Sequence, residues 1–187
     1  MARKGPSAPA RWLHERGHIK GPVLDFGSGH GADARWLRSK THRVTEYDPN
    51  FEGVHQKPQG RYNTVLATYV LNVLPKGQQA GLLREIKSYL KPGGTAYITV
   101  RADIEHAGNT SRGYQRPVRL KAPELGGPSG ARIYQIGGKP QRKRNSAGKL
   151  WYHCGSRGPG ESFSATFYGT GEGASDPSMA DGVYLAD

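Results

Sequence analysis

The chain has 187 residues, 35% of them hydrophobic, and its 27 Lys and Arg outweigh 15 Asp and Glu to give a formal net charge of +12. That length suits one ordinary domain, so a second full domain is not expected, and a single cysteine, Cys154, excludes an internal disulfide and any multi-cysteine zinc site. No apolar run approaches the ~20 residues that span a bilayer and Met1 to Lys20 has no hydrophobic signal core, so a soluble cytoplasmic protein without membrane contact is expected.

Ser7 is placed to cap a short helix running to about Gly17, with Trp12 and Leu13 on its apolar side. Gly21-Pro22 punctuates the chain, and Val23-Leu24-Asp25-Phe26 reads as a buried strand entering a tight turn at Gly27. Residues 31–39 carry Ala32, Ala34, Trp36 and Leu37 and end in basic residues, which predicts a helix. His42 to Tyr47 is a second strand, stopped by Asp48-Pro49. Residues 50–62 are polar and hold at most a rudimentary strand. Thr64 to Val70 is a third clear strand, and Leu82, Leu83, Ile86, Tyr89 and Leu90 fall at helical spacing after Pro75. Lys91-Pro92-Gly93-Gly94 reads as the turn ending that helix, and Thr95 to Val100 as the next strand.

Alternating strands and helices of these lengths predict parallel pairing through right-handed crossovers, a doubly wound Rossmann-like α/β fold. Tyr114 to Leu120 and Arg132 to Ile136 are expected as antiparallel edge strands. The domain is expected to end near residue 136. Residues 137–187 contain ten glycines and the basic cluster Lys139, Arg142, Lys143 and Arg144, and read as a low-order extension in which Leu150–Tyr152 and Phe163–Tyr168 form at most a weak hairpin. All 27 bases lie before residue 158, whereas residues 158–187 hold five acids and no base. The basic body would attract polyanions such as nucleic acid through counterion release, or merely keep the chain soluble.

The chemistry concentrates in Asp25-Phe-Gly27-Ser-Gly29-His-Gly31. It follows a strand and opens a helix, where glycines let a ligand approach the backbone and helix amides face it. Three glycines at alternate positions would be entropically costly for a mere connection. A nicotinamide or flavin site has a related pattern that Gly27, Gly29 and Ala32 also satisfy, so the glycines alone leave the cofactor open. Asp48, 19 residues past Gly29 at the end of the second strand, is placed to accept the two ribose hydroxyls of a nucleoside, or else to start an Asp-Pro turn; Glu46 is the fallback.

With its acid two residues before the first glycine, this run resembles the first motif of class I S-adenosylmethionine-dependent methyltransferases, matched position by position by Asp25, Gly27, Gly29 and Gly31. In that family the acid helps hold the charged amino-acid moiety of the cofactor. Ala67-Thr-Tyr-Val-Leu-Asn-Val-Leu-Pro75 resembles the segment after the family's fourth strand, and Lys91-Pro-Gly-Gly94 the turn before its fifth. The likeness covers residues 20–101. With Tyr47-Asp-Pro49 and Tyr114-Gln-Arg-Pro-Val118, it extends more narrowly to the small methyltransferases found near DNA phosphorothioation genes and in phages. The resemblance implies S-adenosylmethionine as cofactor, held by Asp25, Gly27, Ser28, Gly29, His30, Gly31, Asp48 and Thr68.

Two departures qualify it. The third strand and its loop are shortened, which leaves the adenine pocket unassigned. The tetrapeptide of Asp or Asn, two prolines and an aromatic is replaced by Thr68-Tyr69-Val70-Leu71, which disfavours amino methylation of a base by that device.

A sulfonium is already a good methyl donor, so alignment and water exclusion are the main demands and no fixed catalytic residue is required. Tyr69, Asn72, Arg101, Asp103 and His106 lie near strand ends as candidates for proton removal, each equally consistent with a structural role. The histidines lack metal-site spacing, and no metal is expected. Two rivals remain: a nicotinamide-dependent oxidoreductase, for which no Tyr and Lys pair at helical spacing is found, and a non-catalytic nucleic-acid or partner-binding module. The acceptor is left unidentified, with nucleic acid a candidate because of the charge.

Overall fold

The computed structural model describes residues 5–111 and 113–138, together with the backbone of strand segments at 142–144, 150–152 and 184–185. Helix α1 (Ala8–Glu15) begins where Ser7 Oγ accepts a hydrogen bond from Ala10 N at 3.1 Å, a side-chain cap for an amide that the helix itself cannot satisfy. Strand β1 (Val23–Phe26) leads through the glycine turn into α2 (Ala32–Ser39), and β2 (Val44–Tyr47) follows. Strand β3 (Tyr62–Thr68), a 3-10 turn at Leu71–Val73, α3 (Lys76–Ser88) and β4 (Leu90–Arg101) complete the wound part. Strands β5 (Gly108–Thr110), β6 (Gly113–Gln115), β7 (Leu120–Lys121), β8 (Glu124–Gly126) and β9 (Ala131–Gly137) come next.

The main sheet runs β2-β1-β3-β4-β9-β8. Its first four strands are parallel, while β9 is antiparallel to β4 and β8 antiparallel to β9. Period-two alternation sends successive side chains to opposite faces. Leu24, Phe26, Val65, Ala67, Ile98 and Tyr134 pack with Leu83 and Ile86 of α3, whereas Val23, Leu66, Tyr97 and Ile133 pack with Leu13 of α1 and Leu37 of α2. Strands buried on both faces explain the near-continuous apolar runs in the sequence.

The predicted first strand and its helix stand as expected, and no strand forms between residues 50 and 61. Two expectations are corrected. Lys91–Gly94 is not a turn outside the sheet but a bulge inside β4: Tyr62 pairs with Leu90 and Thr64 with Thr95, so the extra residues loop out, with Gly93 at φ +75°. Leu90 accordingly belongs to β4 and not to the helix. Tyr114–Leu120 is not an edge strand of the main sheet; Gly113–Gln115 pairs with Gly108–Thr110 in a separate hairpin, and Glu124–Gly126 takes the outer edge. Pro117 interrupts the ladder donors that a longer strand would need. Leu150–Tyr152 (β11) pairs antiparallel with Arg142–Arg144 (β10); its expected partner Phe163–Tyr168 lies outside the described residues, as does most of 137–187. A last strand, β12 (Tyr184–Leu185), pairs with β7. No described helix is long and apolar enough to cross a membrane.

Candidate functional site: a glycine loop beside a strand-end pocket

The carboxyl ends of β1, β2, β3 and β4 face one edge of the sheet, where parallel-sheet proteins bind ligands. There the chain leaves β1 through Gly27, Gly29 and Gly31, with φ of +74°, +52° and +68°. These are left-handed values that side chains disfavour. Gly27 N donates to Tyr47 O at 2.7 Å, which ties the loop to the end of β2. At Gly31 a Cβ would come within 2.6 Å of Glu46 Oε1, whereas nothing lies within 4 Å of one at Gly29. The loop is thus closed at its two ends and open in the middle.

Asp48 organises this loop. Its Oδ2 accepts from Gly29 N at 3.0 Å and its Oδ1 from Asn50 N at 2.9 Å. Asp48 thus builds the Asp-Pro turn, and each oxygen keeps a second lone pair. Glu46 instead pairs with Arg38 at 3.1 Å. Asp25, 3% exposed, lies on the α1–α2 side of β1. Ser28 Oγ is screened from solvent and makes no hydrogen bond among the described residues. His30 packs edge-on against Phe51, with centroids 4.7 Å apart. Phe51 escaped the sequence reading; the signal was an aromatic three residues past the acid in an otherwise polar loop.

A brace holds α1 against α2 nearby: Ser7 N donates to Asp33 Oδ1 at 2.6 Å and Ser7 Oγ to Asp33 Oδ2 at 2.7 Å. Asp33 in the first turn of α2 also suits the positive end of that helix.

Beside the loop, Thr68 ends β3 and Tyr69 follows at φ +63°, strained for a bulky residue and held by its N–H donating to Thr99 O at 2.8 Å. Tyr69, Arg101, Asp103, Gln115, Ser129 and Gly130 line a cavity of about 300 Å³. Three of the five catalytic candidates, Tyr69, Arg101 and Asp103, thus converge. Arg101 Nε donates to Asp103 Oδ1 at 2.9 Å and its Nη2 to Asp103 Oδ2, and this pairing raises the guanidinium pKa further. Gln115 is 6% exposed, and its Oε1 makes no hydrogen bond among the described residues. Sequence reasoning missed Gln115, since only the short β5–β6 hairpin carries it to the pocket.

The other two candidates are placed elsewhere. Asn72 is fully buried as a clamp, its Nδ2 donating to Arg116 O at 2.8 Å and its Oδ1 accepting from Arg101 N at 2.9 Å. His106 is exposed and does not line the pocket.

Fold, glycine loop and strand-end pocket define a class I S-adenosylmethionine-dependent methyltransferase. The chain matches the methyltransferase-domain family over residues 1–158 and belongs to it. Among solved structures, DhpI in complex with SAH superposes with a TM-score of 0.51 at 20% identity, covering 70% of this chain and 84% of that one. The Burkholderia thailandensis 1,6-didemethyltoxoflavin-N1-methyltransferase, bound to 1,6-didemethyltoxoflavin and S-adenosylhomocysteine, gives 0.43 at 19% over 76% and 72%. The glycopeptide N-methyltransferase MtfA with S-adenosylmethionine gives 0.43 at 17% over 80% and 76%. Likeness at these identities concerns the fold. No curated protein matches the chain in sequence. The narrower likeness to phage and phosphorothioation-associated enzymes finds no support among these relatives.

Proposed function

We propose that the chain transfers the methyl group of S-adenosylmethionine to an acceptor seated between Tyr69, Arg101, Asp103 and Gln115. The observation that carries this reading is the meeting of loop and pocket at one turn: a Cβ on Gly27 would collide with Val70 Cγ2, and Val70 adjoins Tyr69. When bound, the cofactor supplies an electrophilic methyl that needs no further activation. Asp25, Ser28 and the amides of Gly27 to Gly31 would hold its amino-acid end, with Thr68 beside them. Asp48 would take the ribose hydroxyls, and His30 and Phe51 would flank the nucleoside. The open side of Gly29 and the unpartnered Ser28 Oγ fit such a ligand.

The pocket residues then have the task of orienting the acceptor and excluding water. Arg101 and Asp103 neutralise each other, so the pocket presents little net charge. Gln115 Oε1 would accept a hydrogen bond from an N–H or O–H of the acceptor, which fixes its register and favours a neutral donor-bearing group. A cavity of about 300 Å³ suits a single ring system. The net charge of +12 supports a nucleic acid as the carrier of that ring, and the single cysteine supports a cytoplasmic setting. The reading keeps residues 1–136 as the methyl-transfer unit, with 137–187 as an extension.

The test is transfer of tritiated methyl from S-adenosylmethionine to single-stranded DNA, single-stranded RNA and free purine and pyrimidine bases. Transfer to one of them, cut at least tenfold in kcat/KM by Gln115→Leu with S-adenosylhomocysteine affinity retained, supports the reading. No transfer to any of them, or an unaltered Gln115→Leu enzyme, counts against this assignment of the acceptor.

A further inference from the structure

The opposite edge of the sheet, where the strands begin, carries a second and larger cavity of about 660 Å³ that the methyl-transfer reading does not use. Its walls include Arg38, His42, Arg43, Arg61 and Lys91, and among the described residues no carboxylate lines it. Arg38 is committed to Glu46 and to Val44 O. Arg61 Nη1 donates to Leu90 O at 3.1 Å, which fixes the guanidinium at the rim and leaves its other donors available. The side chains of Arg43 and Lys91 make no hydrogen bond or ion pair among the described residues.

These cations belong to three strands of the sheet, with β1 between the first two. Arg43 precedes β2, Arg61 precedes β3 and Lys91 follows the first residue of β4, in the order β2-β1-β3-β4. Three strand spacings make the trough roughly 14 Å long, room for a few phosphates of one nucleic-acid strand, which lie about 3.4 Å apart along the axis even when stacked as in a duplex. Like charges gathered along one trough repel one another and raise a positive potential there. An isolated domain gains nothing from that arrangement. A chain of phosphates entering the trough relieves it.

We infer that this trough is a second binding site, which grips the phosphodiester backbone of a single-stranded nucleic acid through Arg43, Arg61 and Lys91. It is separate from the methyl pocket, since the seven residues of β3 put roughly 20 Å between the two edges. Binding there neither uses the cofactor nor depends on the identity of the methyl acceptor. The site reads backbone charge and not sequence, so it anchors a polynucleotide along the molecule.

The experiment follows the fluorescence anisotropy of a fluorescein-labelled single-stranded 20-mer DNA with the full chain across a KCl series. Arg43→Gln/Lys91→Gln is compared with Arg84→Gln/Lys87→Gln on α3, which removes the same charge elsewhere. The expected result is binding that the trough variant weakens at least tenfold at 0.1 M salt, with the salt slope reduced by about 1.4 for two lost single-strand phosphate contacts. The α3 variant should change affinity less than threefold. Thermal melts and S-adenosylhomocysteine affinity, both expected to match the parent chain in each variant, separate loss of this site from misfolding and from failure of the methyl-transfer reading. Equal weakening by the two variants would reduce the effect to net charge and overturn the site, as would a parent chain whose Kd is weaker than about 10⁻⁴ M, the upper limit of ordinary non-specific binding.

Discussion

Gly27 and Val70 touch so closely that the glycine loop and the turn after β3 can coexist only if residue 27 has no side chain. That contact joins the proposed cofactor loop to the proposed acceptor pocket. Gly27→Ala should therefore cost about 2–3 kcal/mol, combining a left-handed φ of +74° with overpacking. In urea unfolding, Gly27→Ala/Val70→Ala should recover the overpacking part alone. Complete recovery would mean that the backbone conformation imposes no strain.

Asp48 serves two amides at once, and its substitutions should grade accordingly. Asp48→Ala removes both loop bonds and should lower S-adenosylhomocysteine affinity at least tenfold, while Asp48→Asn keeps one acceptor oxygen and should fall between it and the parent chain. Calorimetric titration of the three proteins checks the order.

Asn72 should behave as structure and not as catalyst. Asn72→Ala leaves Arg116 O without its side-chain donor and Arg101 N without its acceptor in a buried setting, a loss of about 2–4 kcal/mol. Its urea midpoint should drop while S-adenosylhomocysteine affinity, measured where the variant is folded, stays within threefold. A tenfold affinity loss at unchanged stability would return Asn72 to the functional list.

The parts legible in the sequence were those written in local pattern. Val23–Phe26, the three alternate glycines and the α2 residues announce themselves because turn, strand and helix there depend on neighbours in the chain. The bulge at Lys91–Gly94 was hidden because Pro-Gly-Gly has the same signature in a turn and in a bulge, and only the Tyr62–Leu90 pairing tells them apart. Gln115 and the three converging candidates become a pocket only through long-range pairing of β4 with β9 and the short β5–β6 hairpin. The trough was illegible for the same reason: Arg43, Arg61 and Lys91 are far apart in sequence and are brought to one edge only by the strand order β2-β1-β3-β4.

Acid should destabilise the fold through two histidines. Burial, then Arg16 and Lys20, push the His18 pKa down, and burial followed by His14, whose Nδ1 sits 3.0 Å from His42 Nε2, does the same for His42. Both groups take up a proton less readily in the folded chain than in the unfolded one, so the unfolded chain binds more protons as pH falls through the ordinary value of 6.5. Stability is then full above that pH and declines as pH falls through and below it. Urea midpoints should drop between pH 7.5 and pH 5, and His18→Gln/His42→Gln should flatten that slope. A slope unchanged by the double substitution would assign the acid sensitivity to other groups.

The central claim is that the loop from Asp25 to Gly31, closed by Asp48, holds S-adenosylmethionine. Isothermal calorimetry of the full chain with S-adenosylmethionine, S-adenosylhomocysteine and NAD, repeated on Asp25→Ala and Asp48→Ala, tests it most directly. The expected result is micromolar binding of both adenosyl compounds, weakened at least tenfold by either substitution, and no comparable binding of NAD. Absence of adenosyl binding by the folded parent chain, or tighter binding of NAD, would contradict it.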